Sequence, residues 1–266
     1  MIDLRNLRRV AATALGVTAA VQAGTAAVAL PKGRRDYVDV VWGPGLGAIA
    51  ISSALVGSGD ARRRWALAAV VGGWAARLGA HVLPRMTGHD EEDPRYAEWL
   101  EGDSTARVIG KVFVMQGAAQ LAVSLPVQVA AASTLPRSAR RLLLPAGIVL
   151  AVGGAVLEAV ADRQKEEYTA TPKEERPQVL DTGVWGISRH PNYLGDSLVW
   201  DGVWLAAAAS SPGGWTWPAP ALMSYVLIQG TGARLTERRM EGRPGYADYQ
   251  RRVPFFFPDP RRLLGS

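Results

Sequence analysis

The sequence predicts an all-α fold: a polytopic integral membrane protein with about seven transmembrane helices in a single domain of residues 1–266. Hydrophobic residues make up 48% of the chain and the mean hydropathy is positive, which is too apolar for a soluble domain of this length. Apolar stretches that approach the roughly 20 residues of a spanning helix recur along the chain. Their length excludes a membrane β-barrel, whose strands are about 10 residues long and alternate in polarity.

Each predicted span is one of these apolar stretches. The spans cover residues 10–30, 37–56, 65–83, 112–132, 142–161, 194–211 and 217–232. A helix satisfies every backbone polar group within such a run when no water is present. The first span follows Arg5, Arg8 and Arg9, as the apolar part of a secretory signal segment would, but its length favours a helix that is retained.

Lysine and arginine residues divide unequally between the two sides of the predicted bundle. Twenty lie on the side of the loops 84–111 and 162–193 and of the C-terminal tail, nine lie on the opposite side, and Arg77 lies within a span. Cytoplasmic loops carry the excess of positive residues, so the first side is predicted to face the cytoplasm. This bias and anionic lipid headgroups account for the net charge of +6 without a nucleic-acid partner.

The most informative polar segment is residues 186–196, which read Gly-Ile-Ser-Arg-His-Pro-Asn-Tyr-Leu-Gly-Asp directly at the sixth span. Arg189 can bind a phosphate in a bidentate manner, and Asn192 and Tyr193 can orient an amide or a ribose hydroxyl. This concentration of polar types predicts a ligand site. The alternative is a simple entry to the span, with Pro191 in the first helical turn and His190 bonded to backbone.

Polar groups within other spans are candidates for lining a cavity between helices. Asp39 begins the second span, His81 follows Arg77 by four residues on the third, and Glu158 precedes Asp162 by four residues on the fifth. Groups four residues apart share a helix face, and ionisable groups within a span face a partner or a wet cavity. The alternatives are a plain ion pair for Arg77 and a plain backbone hydrogen bond for His81.

Cysteine and metal chemistry are not indicated. The chain contains no cysteine, so thiolate nucleophiles are excluded and redox chemistry would need a bound cofactor. His89 stands beside acidic residues 90–93, but one histidine with flexible acids is weak evidence, and no metal site is predicted. The sequence also lacks the glycine-rich fingerprint of a soluble dinucleotide-binding fold.

Several motifs together resemble the C-terminal membrane module of the steroid 5-alpha-reductase family, in particular its bacterial uncharacterised branch. The motifs are residues 38–42, 92–96, 158–165, 183–196 and 246–254, in that order along the chain. The resemblance implies a seven-helix fold in the bacterial inner (plasma) membrane. It also implies that NADPH lies in a cytoplasm-facing cavity and delivers hydride to the activated carbon–carbon double bond of an enone lipid.

The resemblance places the cofactor-binding half of the protein at about residues 142–260. The matching positions are Glu158, Asp162, Arg163, Lys165, Arg189, His190, Asn192, Tyr193, Asp196, Arg239, Tyr246, Tyr249 and Arg252. Their cations suit the pyrophosphate and a 2′-phosphate, their carboxylates suit ribose or adenine, and Asn192 with Asp196 suits the nicotinamide amide. The two tyrosines of the tail also fit a role as anchors at the headgroup level.

The catalytic pair implied by the resemblance is altered in this chain. Characterised steroid reductases use a carboxylic acid on the second span and a tyrosine on the third to polarise the enone carbonyl. The nearest equivalents here are Asp39 and His81. His81 would donate the proton or the hydrogen bond, and Asp39 would orient it. The substitution leaves the acceptor lipid open, as a steroid or another isoprenoid enone.

Two other functions stay open. Isoprenylcysteine carboxyl methyltransferases, which use S-adenosylmethionine, carry an Arg-His-Pro-x-Tyr-x-Gly segment similar to residues 189–195, and Glu237 and Tyr246 would fit their tail. Against this function, Arg238 follows Glu237 in this chain, whereas those methyltransferases generally have a Glu-Glu pair at the similar position. A non-catalytic lipid-binding protein that keeps the fold is the third possibility. Neither the oligomeric state nor the identity of the lipid follows from the sequence.

Overall fold

The computed structural model describes residues 1–88, 91–230 and 232–259. Its regular elements are helices, and the only β-type contact in the described part is an isolated antiparallel bridge between Ile2 and Ser133. The predicted all-α class is therefore confirmed. His89 and Asp90, at the start of the acidic run in the sequence, lie outside the described residues.

The α-helices differ widely in length, from a single turn to more than seven turns. In chain order they are α1 Leu4–Ala29, α2 Trp42–Val56, α3 Ala61–Thr87, α4 Pro94–Trp99, α5 Thr105–Val108, α6 Met115–Val123, α7 Leu125–Ala131, α8 Leu143–Ala170, α9 Pro191–Ala207, α10 Ser211–Gly214, α11 Pro218–Tyr225, α12 Ala233–Met240 and α13 Tyr246–Arg252. Short 3-10 helices cover Arg35–Asp39, Ala139–Leu142 and Gly183–Gly186, and π-helical turns cover Ile109–Val114 and Val226–Gly230.

Four helical stretches are long and apolar enough to cross a membrane. They are Leu4–Ala29, Arg35–Val56, Ala61–Pro84 and Ala139–Ala170, which match the first, second, third and fifth predicted spans. The fourth predicted span is broken into Thr105–Val123 and Leu125–Ala131, which meet at an angle of 49°. The proline at position 126 explains the break, because it has no N–H for the helical hydrogen bond.

The last two predicted spans are shorter in the structure than the sequence suggests. Helix α9 has 17 residues, and the continuous helical stretch 218–230 has 8 residues of α-helix and 5 of π-helix. At 1.5 Å per residue these lengths are about 25 Å and 20 Å, below the roughly 30 Å of the hydrocarbon core. The structure thus identifies an integral membrane protein with four or five spans and does not confirm seven.

The chain divides into two compact units, of which the first comprises Met1–Ile148 and Val203–Ala219. Helices α1, α2 and α3 form its main packing, and α2 lies closely against α3 because Gly47 has no side chain. A Cβ atom on Gly47 would approach the Cβ of Ala75 to 2.7 Å. The interior here is mostly apolar, and it includes the fully buried residues Leu46, Ile49 and Leu67.

The second unit comprises Val149–Gly202 and Pro220–Ser266. Of residues 142–260, where the cofactor-binding half was predicted, the segments 142–148 and 203–219 belong to the first unit. Within it α8 crosses α9 at two glycines, Gly154 and Gly195. A Cβ atom on Gly195 would lie 2.6 Å from the backbone nitrogen of Glu158, so only glycine allows the two backbones to approach this closely.

Candidate functional site

Four polar side chains of the second unit lie where α8 crosses α9. Glu158 and Asp162 are one turn apart on α8, Asn192 and Asp196 are one turn apart on α9, and the three carboxylates are buried. The Nδ2 atom of Asn192 donates to the Oδ1 atom of Asp162 at 3.4 Å. We call these four residues the carboxylate–amide cluster. The structure therefore brings together three carboxylates and an amide from two helices that are about 30 residues apart in sequence.

The cluster contains an acceptor that the protein does not satisfy. Among the described residues, the buried Oδ1 atom of Asn192 has no hydrogen-bond partner. A buried polar atom without a partner costs about 1–3 kcal/mol. A ligand that donates an N–H or O–H to Asn192 would recover that cost, which makes the cluster a candidate binding site.

A cavity of about 420 Å³ opens farther along α8. Gln164 and Tyr168 line it from the helix, and Arg176 and Asp181 line it from the segment that follows. The guanidinium of Arg176 lies over the ring of Tyr168, 5.1 Å from its centroid. The cavity begins two residues after Asp162, so the same helix carries the carboxylate–amide cluster and a space with a cation and an aromatic ring.

The tail of the second unit is organised around Glu237 on α12. Its Oε1 atom accepts from Arg189 Nε at 2.9 Å, from His190 Nε2 at 3.0 Å and from the Tyr246 hydroxyl at 2.7 Å. Its Oε2 atom accepts from Arg189 Nη2 at 3.1 Å and from Gln250 Nε2 at 2.7 Å. We call these five residues the Glu237 hub. One carboxylate thus joins α12, the segment before α9, and α13.

Burial and hydrogen bonding set the protonation states of Glu237, His190 and Tyr246 in the hub. Burial disfavours the ionised form of Glu237, but the hydrogen bonds from Arg189, Gln250 and Tyr246 outweigh it and lower the pKa of Glu237 to about 2. Burial lowers the pKa of His190 to about 4 against the opposing hydrogen bond to Glu237. Burial and then the Glu237 hydrogen bond raise the pKa of Tyr246. At neutral pH the hub therefore holds one carboxylate, one guanidinium, a neutral imidazole and a neutral phenol.

Arg189 is engaged mainly by the protein. Besides Glu237, its Nη1 atom donates to the carbonyl oxygens of Gln250 and Val253 at 3.1 and 2.8 Å, and its backbone nitrogen donates to the carbonyl of Pro254. These contacts fasten the tail to the segment before α9. The phosphate contact expected of Arg189 stays a prediction, and the contact that the structure shows is an internal one.

The remaining predicted cofactor-binding cations differ from one another in exposure and in ion pairing. Arg163 forms an exposed ion pair with Glu167, and Arg252 pairs with Asp181 at 2.8 Å. Arg239 is exposed near the end of α12, and Lys165 is half-buried on α8. The exposed cations among these are accessible to an anionic ligand.

The tyrosines of the second unit contact other aromatic rings and a backbone carbonyl. The ring of Tyr193 stacks on that of His190, with centroids 6.0 Å apart. The Tyr249 hydroxyl donates to the carbonyl of Trp185 at 2.7 Å, and the rings of Tyr246 and Tyr249 are 5.8 Å apart. Both tail tyrosines are buried, so they pack inside the second unit. Nucleotide stacking by these rings stays a prediction.

The first unit contains a separate ionic cluster around Asp39. The Tyr96 hydroxyl donates to the Oδ1 atom of Asp39 at 2.7 Å, and Arg95 Nη2 lies 3.4 Å from its Oδ2 atom. Burial and the neighbouring Asp39 raise the pKa of Tyr96, so the phenol stays protonated at neutral pH. The phenol beside Asp39 therefore comes from Tyr96 on α4, while His81 lies half-buried on α3.

Tyr96 was not among the predicted site residues, although the motif 92–96 contains it. The structure explains that motif. Arg35 binds Glu92 through its guanidinium and backbone nitrogen, and the backbone nitrogen of Asp93 donates to Asp36 at 3.2 Å. These contacts hold the start of α4 against the 3-10 helix that carries Asp39. Residues 92–96 stand out in the sequence as a motif, but nothing local in them indicates a bond between Tyr96 and Asp39.

No group of three or more histidine, aspartate or glutamate side chains that could hold a metal ion occurs in the described part of the chain. The arrangements found are hydrogen-bond donors and acceptors suited to polar ligands and proton transfer. They occur as one cluster around Asp39 in the first unit and as the carboxylate–amide cluster and the Glu237 hub in the second.

The fold and these clusters define a helical integral membrane protein with buried ionic groups in both units. Residues 26–253 match the family described as protein of unknown function, DUF1295, and the protein belongs to that family. An uncharacterised protein of Schizosaccharomyces pombe is 33% identical over an alignment of 129 positions, and the match covers 42% of this chain and 37% of that protein. The chain therefore spans little more than a third of this relative's length. No solved structure matches the chain.

Proposed function

We propose that the protein is a membrane-embedded NADPH-dependent reductase that reduces the activated carbon–carbon double bond of an enone lipid. The observation that carries the proposal is the unsatisfied Oδ1 atom of Asn192 within the carboxylate–amide cluster. Membership in DUF1295, a family similar to steroid 5-alpha-reductases, supports it. The enzyme class would be an oxidoreductase acting on CH–CH groups, with a steroid-like or isoprenoid-like substrate.

The second unit suits the parts of the cofactor. The Oδ1 atom of Asn192 would accept an N–H of the nicotinamide amide, and the carboxylates of Glu158 and Asp162 would accept ribose hydroxyls. The cavity beside Tyr168 and Arg176 has a cation and an aromatic ring for the adenosine portion with its phosphate. When bound, NADPH supplies the hydride. The residues of this unit bind and orient it, and they carry no proton chemistry.

The first unit supplies the groups for the proton side of the reaction. The single O–H of Tyr96 donates to Asp39 at 2.7 Å in the structure. When the substrate binds, the phenol would turn this O–H from Asp39 to the enone oxygen. The guanidinium of Arg95 places a positive charge 3.4 Å from the carboxylate of Asp39. This pair carries the role that the resemblance assigned to Asp39 and His81, and His81 remains the alternative donor.

The proposal includes the finer topology: seven spans in the bacterial inner membrane with the cofactor site facing the cytoplasm. Helix α9 and the stretch 218–230 would be the sixth and seventh spans. The chain has no native cysteine, so single substitutions give clean labelling sites. Ser138→Cys and Ser211→Cys should react with an impermeant thiol reagent from outside, and Thr169→Cys only from the cytoplasmic side. Labelling of Ser211→Cys and Thr169→Cys from the same side contradicts this topology.

Cofactor binding is tested by thermal stabilisation of the full chain in detergent. NADPH should raise the melting temperature more than NADH or S-adenosylmethionine, because a ligand that binds only the folded state stabilises it with occupancy. Asn192→Ala should abolish this shift, while Gln178→Ala, an exposed amide, should keep it. Stabilisation by S-adenosylmethionine alone would favour the methyltransferase, and stabilisation by none of the three would favour a non-catalytic lipid-binding protein.

The proton donor is tested by turnover of a steroid enone with NADPH. Tyr96→Phe should keep the NADPH-induced shift in melting temperature and lose turnover by about 100-fold or more, as expected for loss of a general acid. His81→Ala should keep both if Tyr96 is the donor. Loss of turnover in His81→Ala with full turnover in Tyr96→Phe would return the role to His81.

A further inference from the structure

One end of the first unit gathers eight arginine side chains from three segments of the chain. They are Arg5, Arg8, Arg9, Arg62, Arg64, Arg137, Arg140 and Arg141. Backbone hydrogen bonds join these segments: Asp3 N donates to the carbonyl of Ala132 at 3.0 Å, and Gly59 N donates to that of Ala131 at 2.7 Å. We call these eight residues the arginine end. Seven of them are exposed, and Arg64 is half-buried.

The charge of the arginine end is not neutralised by the protein. The two acidic residues in these segments cap helices: Asp3 accepts from the backbone nitrogens of Arg5 and Asn6, and Asp60 accepts from that of Arg63. No ion pair within the described residues joins the eight arginines to a carboxylate. Their only side-chain hydrogen bond in the described part of the chain runs from Arg140 Nε to the carbonyl of Ala208.

Several other cations of the same unit are paired with carboxylates. Lys111 binds Asp103 at 2.6 Å, Arg95 binds Asp93 at 2.8 Å, and Arg35 binds Glu92. The difference follows from the sequence, because the loop 91–103 is rich in acids whereas the segments of the arginine end contain almost none. A shortage of acids in the neighbourhood therefore leaves the positive charge of the arginine end uncompensated.

Large apolar side chains stand beside these arginines. Leu4, Trp65 and Leu142 are next to arginines in the chain, and they are exposed. Trp215, in the segment that Arg140 contacts through Ala208, is 79% exposed. Exposed tryptophan and leucine beside basic residues are typical of the level at which lipid headgroups meet the hydrocarbon core.

From this combination we propose that the arginine end is a binding surface for the phosphate groups of anionic phospholipids. A guanidinium binds two phosphate oxygens with parallel N–H donors, and six of the eight side chains are exposed and make no side-chain hydrogen bond within the described residues. The neighbouring tryptophan and leucine side chains would enter the acyl region of the same lipids. The surface is independent of the proposed reductase activity, since none of its residues belongs to the Asp39 cluster, the carboxylate–amide cluster or the Glu237 hub.

The test compares two variants of the full chain with the same loss of positive charge. The test variant carries Arg5→Gln, Arg8→Gln, Arg62→Gln and Arg137→Gln, whose side chains make no hydrogen bond within the described structure. The control variant carries Arg107→Gln, Arg238→Gln, Arg243→Gln and Arg251→Gln, which are exposed elsewhere. Each protein in neutral detergent is titrated with phosphatidylglycerol, phosphatidylcholine or inorganic phosphate, and melting temperature and retained lipid by native mass spectrometry are recorded.

Phosphatidylglycerol should stabilise the natural chain more than phosphatidylcholine, and added salt should weaken the effect. The half-saturating phosphatidylglycerol concentration should rise at least about tenfold in the test variant and change about twofold or less in the control, given that each basic residue near an anionic surface contributes to binding. Equal losses in both variants would overturn the proposal, as would equal effects of the two lipids. A shift reproduced by inorganic phosphate, or retention of lipid by the test variant at the natural level, would overturn it too.

Whether the test variant folds is measured separately. Lipid-free melting temperature and helical circular dichroism should match the natural chain, because these four arginines make no side-chain hydrogen bond or ion pair within the described residues. If the fourfold variant fails to fold, the single variants Arg62→Gln and Arg137→Gln are titrated in its place. Each should then raise the half-saturating phosphatidylglycerol concentration by about threefold or more, and no change in either would contradict the assignment.

Discussion

Replacing Glu237 by glutamine should destabilise the protein much more than the loss of an exposed carboxylate in the second unit. Glu237 accepts five hydrogen bonds, two of them from Arg189. The side chains of Glu237 and Arg189 are only 12% and 11% exposed. Glutamine keeps the shape but removes the charge, and it turns one acceptor into a donor that faces other donors.

The expected magnitude follows from burial. Removing one partner of a buried ion pair costs about 3–5 kcal/mol, because the other charge stays buried without compensation. Glu167→Gln is the matched control, since Glu167 pairs with Arg163 on the surface of α8 with side chains 63% and 80% exposed. Such exposed pairs contribute about 1 kcal/mol or less. Glu237→Gln should therefore cost several times as much as Glu167→Gln.

The assay is reversible unfolding of the purified chain in mixed micelles, followed by tryptophan fluorescence and circular dichroism. A double variant, Arg189→Met with Glu237→Gln, should be less destabilised than the sum of the two single variants, because it leaves no unpaired charge. The reasoning is refuted if Glu237→Gln changes the free energy of unfolding no more than Glu167→Gln does. Strict additivity in the double variant would equally show that the pair does not couple.

Three further outcomes follow from the structure. The free energy of unfolding should fall as pH drops from about 6.5 to about 4, because His190 binds fewer protons in the folded than in the unfolded chain in this range. It should fall again as pH approaches about 2, because Glu237 then becomes protonated. Urea titrations at several pH values measure this, and a flat profile contradicts it. Gly195→Ala should cost about 1–3 kcal/mol by clashing with the backbone of α8, whereas Gly153→Ala, which meets open space, should be neutral or stabilising in the same assay. Arg63→Met should cost about 2–4 kcal/mol by removing donors to buried carbonyls, and a cost equal to that of exposed Arg62→Met would contradict it.

The long helices could be predicted because each one is indicated by the apolar residues of its own segment. Spans over 37–56 and 65–83 agree with helices within a few residues, since long apolar runs can satisfy their backbone in lipid only as helices. The break in the fourth span was readable from Pro126 but was not predicted, because its flanks are apolar on both sides. The last two spans remain short in the structure, where glycine and proline interrupt the apolar pattern.

Side-chain partnerships across distant segments were only partly predictable. The spacing of Glu158 and Asp162 indicated a shared helix face, and Asn192 was expected to join a polar site, as it does with Asp162. The bond between Asp39 and Tyr96 spans 57 residues, and nothing local in the sequence indicates which tyrosine meets which carboxylate. His81 was therefore paired with Asp39 by resemblance alone.

Arginines illustrate the same limit. In the sequence Arg62, Arg63 and Arg64 form one loop charge cluster, yet the structure buries Arg63 completely. There it donates to the carbonyls of Ala130 and Ser133 at the end of α7. Arg189 was expected to bind a phosphate, and in the structure its guanidinium pairs with Glu237. Which cations remain available depends on tertiary contacts that composition does not encode.

The central claim, hydride transfer from NADPH to an enone lipid, is tested most directly by isotope transfer. The purified chain would be incubated with NADPH that carries deuterium at the transferable position of the nicotinamide, together with lipids extracted from bacterial membranes. Mass spectrometry should then find a lipid that has lost one C=C bond and gained one deuterium and one solvent proton, with none formed by Asn192→Ala or Tyr96→Phe. The account is contradicted if no lipid gains deuterium while labelled S-adenosylmethionine transfers its methyl group to a lipid instead.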